Sequence, residues 1–244
     1  MTYCVALQLK QGLVFMADTR TNAGLDNIST YQKMHSFEVP GDRAITLMTA
    51  GNLATTQSVI SLLEERMKAP DDRSPTLLQA PSMFQVARIV GDTLHEVIQS
   101  NADSGARADS AFNATIIVGG QIKGGEPRMF LIYPEGNFVE AGEDTPFFQI
   151  GETKYGRPIL VRAYDPDMSF EAATKLLCVS FDSTIKANLS VGLPLDLQVY
   201  TKDSLCLGQS KRFEHGDPYF STISNGWGEA LKLAFDSLED FSFK

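Results

Sequence analysis

The order of strand and helix patterns constrains the fold of this chain more than any other feature of its sequence. Paired apolar runs with strand character come first, two helical patterns follow, and the alternation repeats before a terminal helix. Blocks segregated in this way form layers, because each apolar sheet face and helix stripe must be covered by another element. The sequence therefore predicts an α+β fold in which helices cover both outer faces of two stacked antiparallel sheets.

The predicted elements are short strands divided by turn residues, and helices with one apolar stripe. Strands are expected over residues 3–9, 13–17, 30–39, 44–49, 114–119, 128–133, 138–141, 147–150, 195–201 and 204–207. Helices are expected over residues 53–67, 81–99, 156–163, 169–188 and 220–238, with Pro81 in a first turn and Ser169 as an N-cap. No linker, repeat or low-complexity segment interrupts the chain, so a single domain is expected.

Composition excludes several classes of protein. The formal net charge of −9 argues against nucleic-acid binding, and no segment approaches the roughly 20 apolar residues of a membrane span. The early charges Lys10, Asp18 and Arg20 interrupt any secretory signal, so a cytoplasmic protein is expected. Neither a disulfide framework nor a metal site is expected from the spacing of the cysteines and histidines, which are Cys4, Cys178, Cys206, His35, His95 and His215.

The start of the chain places a hydroxyl amino acid at the tip of the first predicted strand. An initiator methionine is usually removed when the next residue is small, and here Thr2 follows Met1. Removal would leave Thr2 with a hydroxyl nucleophile and a free α-amine, a nucleophile and a base on one residue. A threonine at this position is by itself ordinary, so its significance depends on the motifs that follow.

Three further positions can carry chemistry together with Thr2. Asp18 ends the second predicted strand, and Lys33 lies within the third among apolar neighbours. Each charge would be costly in a strand core alone, but as a pair they satisfy each other. Gly51 lies at a strand-to-helix junction, where a backbone N–H can approach a ligand closely.

The joint order of these motifs resembles a proteasome-type β-subunit. The matching stretches are the Thr-initiated strand, "ADTR", the lysine of the third strand, "TAGNLATTQ" and "RAYDPDMSFEAATKLL", which together run from residue 2 to about residue 200. Within that family, "GLVFMADTRTNAG" and "IGETKYGRPIL" are most similar to the bacterial ancestral β-subunit (Anbu) branch. The resemblance implies a four-layer αββα fold of N-terminal-nucleophile hydrolase type, with residues 1–244 as one proteasome β-subunit-like domain and no cofactor.

The resemblance also implies a role for each motif in hydrolysing a peptide or amide bond. Thr2 Oγ would attack the carbonyl, and its α-amine, with an intrinsic pKa of about 7.7–8.0, would accept a proton through a water. Lys33 would stabilise the deprotonated hydroxyl, and Asp18 would hold the ammonium in place. The Gly51 N–H would donate to the oxyanion, an interaction worth about 2.7–4 kcal/mol in other hydrolases. Ser190 matches a supporting serine of the family.

Some residues depart from the family pattern and leave other functions open. Lys33 lies one residue closer to Thr2 than is usual, which a shortened loop over residues 22–27 could absorb. Glu152 stands where active subunits have the serine of a Gly-Ser-Gly, and Ala187 stands where they have an aspartate before the serine matched by Ser190. The alternatives to a threonine peptidase are therefore a catalytically silent scaffold subunit and an amidase for a small metabolite. In every case the family implies assembly with copies of itself into a ring or short spiral.

Overall fold

The computed structural model of this chain describes residues 2–22, 28–68, 76–102 and 112–243. The strands are β1 (Tyr3–Leu9), β2 (Gly12–Asp18), β3 (Arg20–Asn22), β4 (Ile28–Thr30), β5 (Met34–Val39), β6 (Arg43–Gly51), β7 (Ala114–Ile122), β8 (Arg128–Ile132), β9 (Phe138–Glu140), β10 (Phe147–Gly151), β11 (Leu195–Thr201) and β12 (Ser210–Phe213). The helices are α1 (Leu53–Lys68), α2 (Met83–Ala102), α3 (Arg157–Ala163), α4 (Phe170–Ala187) and α5 (Pro218–Asp236).

Within the described residues, these strands form two five-stranded antiparallel sheets and a small two-stranded one. The first sheet has the order β10-β1-β2-β11-β12, the second has the order β5-β6-β7-β8-β9, and β3 pairs with β4 alone. The predicted α+β sandwich of stacked sheets is confirmed.

Alternation along the strands explains the layers. Tyr3, Val5 and Leu7 of β1 join one buried cluster with α3 and α4, whereas Cys4 and Ala6 face a second cluster between the sheets. Because successive side chains of a strand point to opposite faces, a strand that is apolar throughout must be covered on both sides. A third cluster joins the outer face of the second sheet to α1 and α2. The four layers are therefore helices, sheet, sheet and helices.

Local capping fixes where three helices begin. Asn52 Oδ1 accepts from the Thr55 N–H at 3.0 Å and starts α1 directly after β6. Ser169 Oγ accepts from the Ala172 N–H at 3.1 Å, which confirms the predicted N-cap of α4. Asp217 Oδ1 accepts from the Phe220 N–H at 3.0 Å and caps α5. Such caps satisfy N–H groups that a helix start leaves without an intrahelical partner.

Several predicted boundaries are wrong. Lys33 lies in the 31–33 segment between β4 and β5 rather than within a strand, because the short β3–β4 hairpin interrupts the predicted run. The partner of β11 is β12, not residues 204–207, where positive φ angles at Asp203 (64°) and Leu205 (48°) break extended structure. Pro81 precedes α2 instead of lying in its first turn, and Ser82 Oγ accepts from the Gln85 N–H.

Parts of the sequence-based interpretation lie outside the described residues. The structure does not describe Met1, most of the loop over residues 22–27, or the polar segments near residues 69–75 and 103–109. Among the helices that the structure does describe, none has the length and apolar character needed to cross a membrane.

Candidate active site

Thr2 lies immediately before β1, at the end of a strand that is flanked by β10 and β2 in the first sheet. Its carbonyl oxygen accepts a hydrogen bond from the Glu152 N–H at 2.7 Å, which extends the β1–β10 ladder by one pair beyond Tyr3 and Gly151. Gly151 has a φ of +82°, and a Cβ there would lie 1.9 Å from the Thr2 oxygen. Only glycine allows this close approach, so β10 fixes the backbone of Thr2.

Asp18 and Lys33 form a buried ion pair behind Thr2. Lys33 Nζ donates to Asp18 Oδ1 at 2.7 Å, and the two residues are 4% and 0% exposed. The same Oδ1 accepts from the Tyr3 N–H at 2.9 Å. The carboxylate is therefore joined to the residue that follows Thr2 as well as to the ammonium, although Lys33 comes from the segment that precedes β5 of the second sheet.

The ammonium of Lys33 has a second internal partner. Lys33 Nζ donates to the Arg20 carbonyl at 2.6 Å, and the Lys33 carbonyl accepts from the Thr49 N–H at 2.9 Å. A lysine ammonium carries three N–H donors. Among the described residues, two of them are occupied behind the site, which leaves one for a group in the cleft that Lys33 and Thr2 both line.

Burial and pairing act in opposite directions on Asp18. Removal of its carboxyl group from water raises its pKa above the usual range, whereas Lys33 and the backbone N–H groups of Tyr3 and Gly192 lower it. The carboxylate thus depends on Lys33 to stay ionised in its dry environment. Loss of the lysine would leave an uncompensated buried charge.

A cleft of about 920 Å³ opens in front of this pair. Thr2, Lys33, Gly51 and Gly151 line it, together with Thr21, Tyr31, Gln32, His35, Thr49, Ala50, Leu53, Thr56, Gln57, Ile60 and Ser61. Gly51 ends β6 with a φ of +119°, and a Cβ there would meet the Asn113 carbonyl oxygen at 2.4 Å. Three of the predicted site residues therefore border one cavity, and Asp18 is bonded to one of them.

The cleft is lined by both apolar and polar side chains, and no acidic side chain is among the lining residues that the structure describes. His35 is half-buried there, and burial lowers the pKa of its imidazole while Glu64 acts against that shift. Its side chain is therefore neutral at pH 7, which leaves Lys33 as the positive charge at the cleft. An environment of this kind favours a developing oxyanion over a cation.

Ser190, the supporting serine that the resemblance implies, is not one of the described residues that line the cleft. It is on the loop after α4, and its N–H donates to Asn188 Oδ1 at 3.0 Å. Asn188 Nδ2 in turn donates to Glu152 Oε2 at 3.0 Å, and the Arg20 guanidinium donates to the Leu189 carbonyl at 2.9 Å. The loop thus reaches Thr2 through Asn188 and Glu152.

Sequence reasoning did not identify the α1 side of the cleft or the Glu152–Asn188 contact. Leu53, Gln57 and Ser61 recur at the four-residue spacing of a helix face, a signal that could have marked them. Glu152 and Asn188 are distant in sequence, and the sequence marked only Glu152, as a departure from the family pattern. Their contact depends on how α4 packs against the first sheet, which no local pattern encodes.

Among the described residues, no group of three or more His, Cys, Asp or Glu side chains could hold a metal ion. The site instead combines a threonine, a buried Asp–Lys pair and a backbone N–H at a glycine. Such a set can activate a hydroxyl and stabilise an oxyanion through the protein's own groups.

Comparison with known proteins places this architecture in a class. The sequence profile of the family described as "Proteasome subunit" matches residues 2–192. A curated relative, "Proteasome subunit beta" from Haloquadratum walsbyi, is 25% identical over 214 residues, which cover 87% of this chain and 79% of the relative. The chain belongs to the proteasome subunit family.

Solved structures place it near one branch of that family. Anbu (Gly-1) mutant from Hyphomicrobium sp. strain MC1 is 49% identical, with full coverage of both chains and a TM-score of 0.92. Anbu of Pseudomonas aeruginosa, solved as a helical assembly, is 47% identical over 99% of this chain and 98% of the relative, also with a TM-score of 0.92. The predicted resemblance to ancestral β-subunit proteins is confirmed.

Proposed function

We propose that the chain is a threonine-type amidohydrolase of proteasome type, which acts on peptide or amide bonds with Thr2 as its N-terminal nucleophile after Met1 is removed. The observation that carries the proposal is the buried Lys33. Its ammonium is held by Asp18 Oδ1 at 2.7 Å and by the Arg20 carbonyl at 2.6 Å, beside the cleft that Thr2 lines.

The proposed reaction uses only groups of this site. Thr2 Oγ attacks the carbonyl carbon, and its proton passes through a water to the α-amine, while Lys33 stabilises the forming alkoxide. The Gly51 N–H donates to the tetrahedral oxyanion. The C–N bond then breaks as the leaving amine takes the proton, and water hydrolyses the ester on Thr2 to restore its hydroxyl.

A direct test uses protein whose intact mass shows that Thr2 is the first residue. On a broad panel of peptides and small amides, we expect Thr2→Ala to lower kcat by about 10⁴-fold or more, the scale seen when a hydrolase loses its nucleophile. Thr2→Ser keeps a hydroxyl and is the matched control that should retain part of the rate. Equal rates for Thr2→Ala and the native chain would assign any activity to another site, and full retention of Met1 would remove the mechanism.

A silent scaffold is the second candidate, and one observation favours it. Glu152 lies where active members of the family have a serine, and Ala187 lies where they have an aspartate, so the surroundings of the Thr2 amine differ. Folded protein with a free Thr2 that cleaves nothing on the panel would favour this role. Cleavage of small amides without cleavage of peptides would favour the metabolite amidase instead.

Self-assembly is the second part of the proposed function. The α5 helix and the tail after it expose large apolar side chains, namely Leu231, Leu233, Phe235, Leu238, Phe241 and Phe243. Such a surface is typical of an interface, and the Pseudomonas aeruginosa relative forms a helical assembly. We expect sedimentation at micromolar concentration to show an oligomer that Leu233→Lys with Phe235→Lys makes smaller. Lys232→Ala on the same helix is the control, and a monomeric native chain would contradict the proposal.

A further inference from the structure

Glu152, one of the departures from the family pattern, contacts the end of α4 beside Thr2. Glu152 Oε2 accepts from Asn188 Nδ2 at 3.0 Å, and Asn188 Oδ1 accepts from the Ser190 N–H at 3.0 Å. Asn188 is the C-cap of α4, so the end of that helix holds the Glu152 carboxylate. The partly buried carboxylate of Glu152 is therefore held by a charge-assisted hydrogen bond.

Glu152 also faces Thr2 across the β1–β10 ladder. The register pairs Tyr3 with Gly151, and the Glu152 N–H donates to the Thr2 carbonyl at 2.7 Å. Residues opposite each other in an antiparallel pair have Cβ atoms about 4.5–5.5 Å apart. In such a pair the amino nitrogen of one residue also lies beside the backbone of the other. Glu152 is therefore the acidic residue next to Thr2 on the β10 side.

The other charged groups near Thr2 have partners of two kinds. Asp18 and Lys33 neutralise each other at 2.7 Å, and on α4 Lys186 pairs with Asp182 at 3.1 Å. The Arg20 guanidinium donates to the neutral Leu189 carbonyl, and the Glu152 carboxylate accepts from the neutral Asn188 amide. Among these groups, Glu152 is therefore the carboxylate whose charge no cation neutralises.

We propose that Glu152 is a positioning residue that acts through the Thr2 α-amine: its carboxylate, held by Asn188, keeps the amine protonated to a higher pH than a neutral side chain would. The proposal rests on the proposed function, because the amine of Thr2 is free only once Met1 is removed. An ammonium cannot accept the proton of Thr2 Oγ. The site would therefore gain activity as pH rises through a range above the ordinary one for an α-amine.

The experiment measures the amine directly rather than peptide cleavage. Acetic anhydride acylates only a deprotonated amine, and mass spectrometry of the N-terminal peptide gives the pH midpoint of Thr2 acylation. Glu152→Gln keeps an oxygen for Asn188 but removes the charge, and we expect it to lower the midpoint by about one pH unit, since a nearby opposite charge shifts a pKa by roughly 1–3 units. Glu143→Gln, beyond the far end of β10, removes the same charge from an exposed turn and should leave the midpoint unchanged.

Each outcome bears on the proposal separately from the hydrolase function. An unchanged midpoint in folded Glu152→Gln overturns the role of Glu152, whether or not the protein cleaves peptides. A lowered midpoint in protein that hydrolyses nothing supports the role of Glu152 and removes the proposed function. In an active protein, the rise of kcat with pH should move to lower pH in the same variant. If all the protein retained Met1, the proposed role of Glu152 and the proposed hydrolase function would both be overturned.

Discussion

The two sides of the Thr2 site are built in different ways. On one side, Asp18 and Lys33 form a fully buried ion pair that joins two sheets and touches the backbone next to Thr2. On the other, Glu152 and Asn188 form a partly buried contact between a strand end and a helix end. The first side keeps the family pattern and the second departs from it. In the proposed mechanism, the first side activates the hydroxyl of Thr2 and the second side tunes its α-amine.

Burial explains why the two sides should respond differently to substitution. A charge that is shielded from water relies on its partner for its whole stabilisation, whereas a half-exposed one can turn to solvent. The Asp18–Lys33 side should therefore couple stability and activity tightly. The Glu152–Asn188 side should tolerate change and tune the pH dependence.

The largest effect is expected on the buried side. Lys33→Ala should lower the free energy of unfolding by about 3–5 kcal/mol, because it leaves the buried Asp18 carboxylate without its ion-pair partner. Activity should fall by about 10²–10⁴-fold, the range for loss of a positioned group in proton transfer. Urea unfolding and kcat on folded material measure the two effects.

A double variant separates stability from chemistry on this side. Asp18→Asn with Lys33→Met removes both charges at similar volume, so most of the stability should return, while the activity should not. Recovery of activity in this double variant would show that the pair is only structural.

A smaller effect is expected on the other side of the site. Asn188→Ala removes the donor to Glu152 and the acceptor for the Ser190 N–H. Partly exposed groups can rebind water, so we expect a loss of about 1–2 kcal/mol in the free energy of unfolding. Denaturant titration of the variant and the native chain measures this change in the free energy of unfolding. A loss as large as that of Lys33→Ala would contradict the contrast between the two sides.

At neutral pH, no effect is expected from the ionisation of Tyr3, which supports Thr2, and its contribution appears only at high pH. Burial raises the pKa of Tyr3 to about 12, while hydrogen bonds with Ser180 and Gln149 act against that shift. The unfolded phenol, with a pKa of about 10, ionises first, so stability is full below pH 10 and is lost as pH rises towards 12. In Tyr3→Phe this part of the alkaline loss should disappear in stability curves between pH 8 and 12. An identical alkaline slope in both proteins would exclude Tyr3 as its source.

The sequence predicted the layers and the Asp18–Lys33 side because both depend on local signals. Strand alternation, turn residues and the Ser169 cap are read within a few positions, and two charges in apolar runs require each other. The β3–β4 hairpin and the β11–β12 pairing were missed, since φ angles at Asp203 and Leu205 and a two-stranded sheet have weak local signatures. Glu152 and Asn188 could not be paired from sequence, because their contact is created by tertiary packing.

Covalent trapping of Thr2 tests the central claim, that its hydroxyl is a nucleophile activated by the Asp18–Lys33 pair. A peptide β-lactone acylates a nucleophilic hydroxyl by ring opening and adds its whole mass to the protein. On folded protein with a free Thr2, intact mass and peptide mapping should show one adduct, located on Thr2, absent in Thr2→Ala and slow to form in the double variant of Asp18 and Lys33. An adduct on another residue, or none on the processed native chain, would contradict the account.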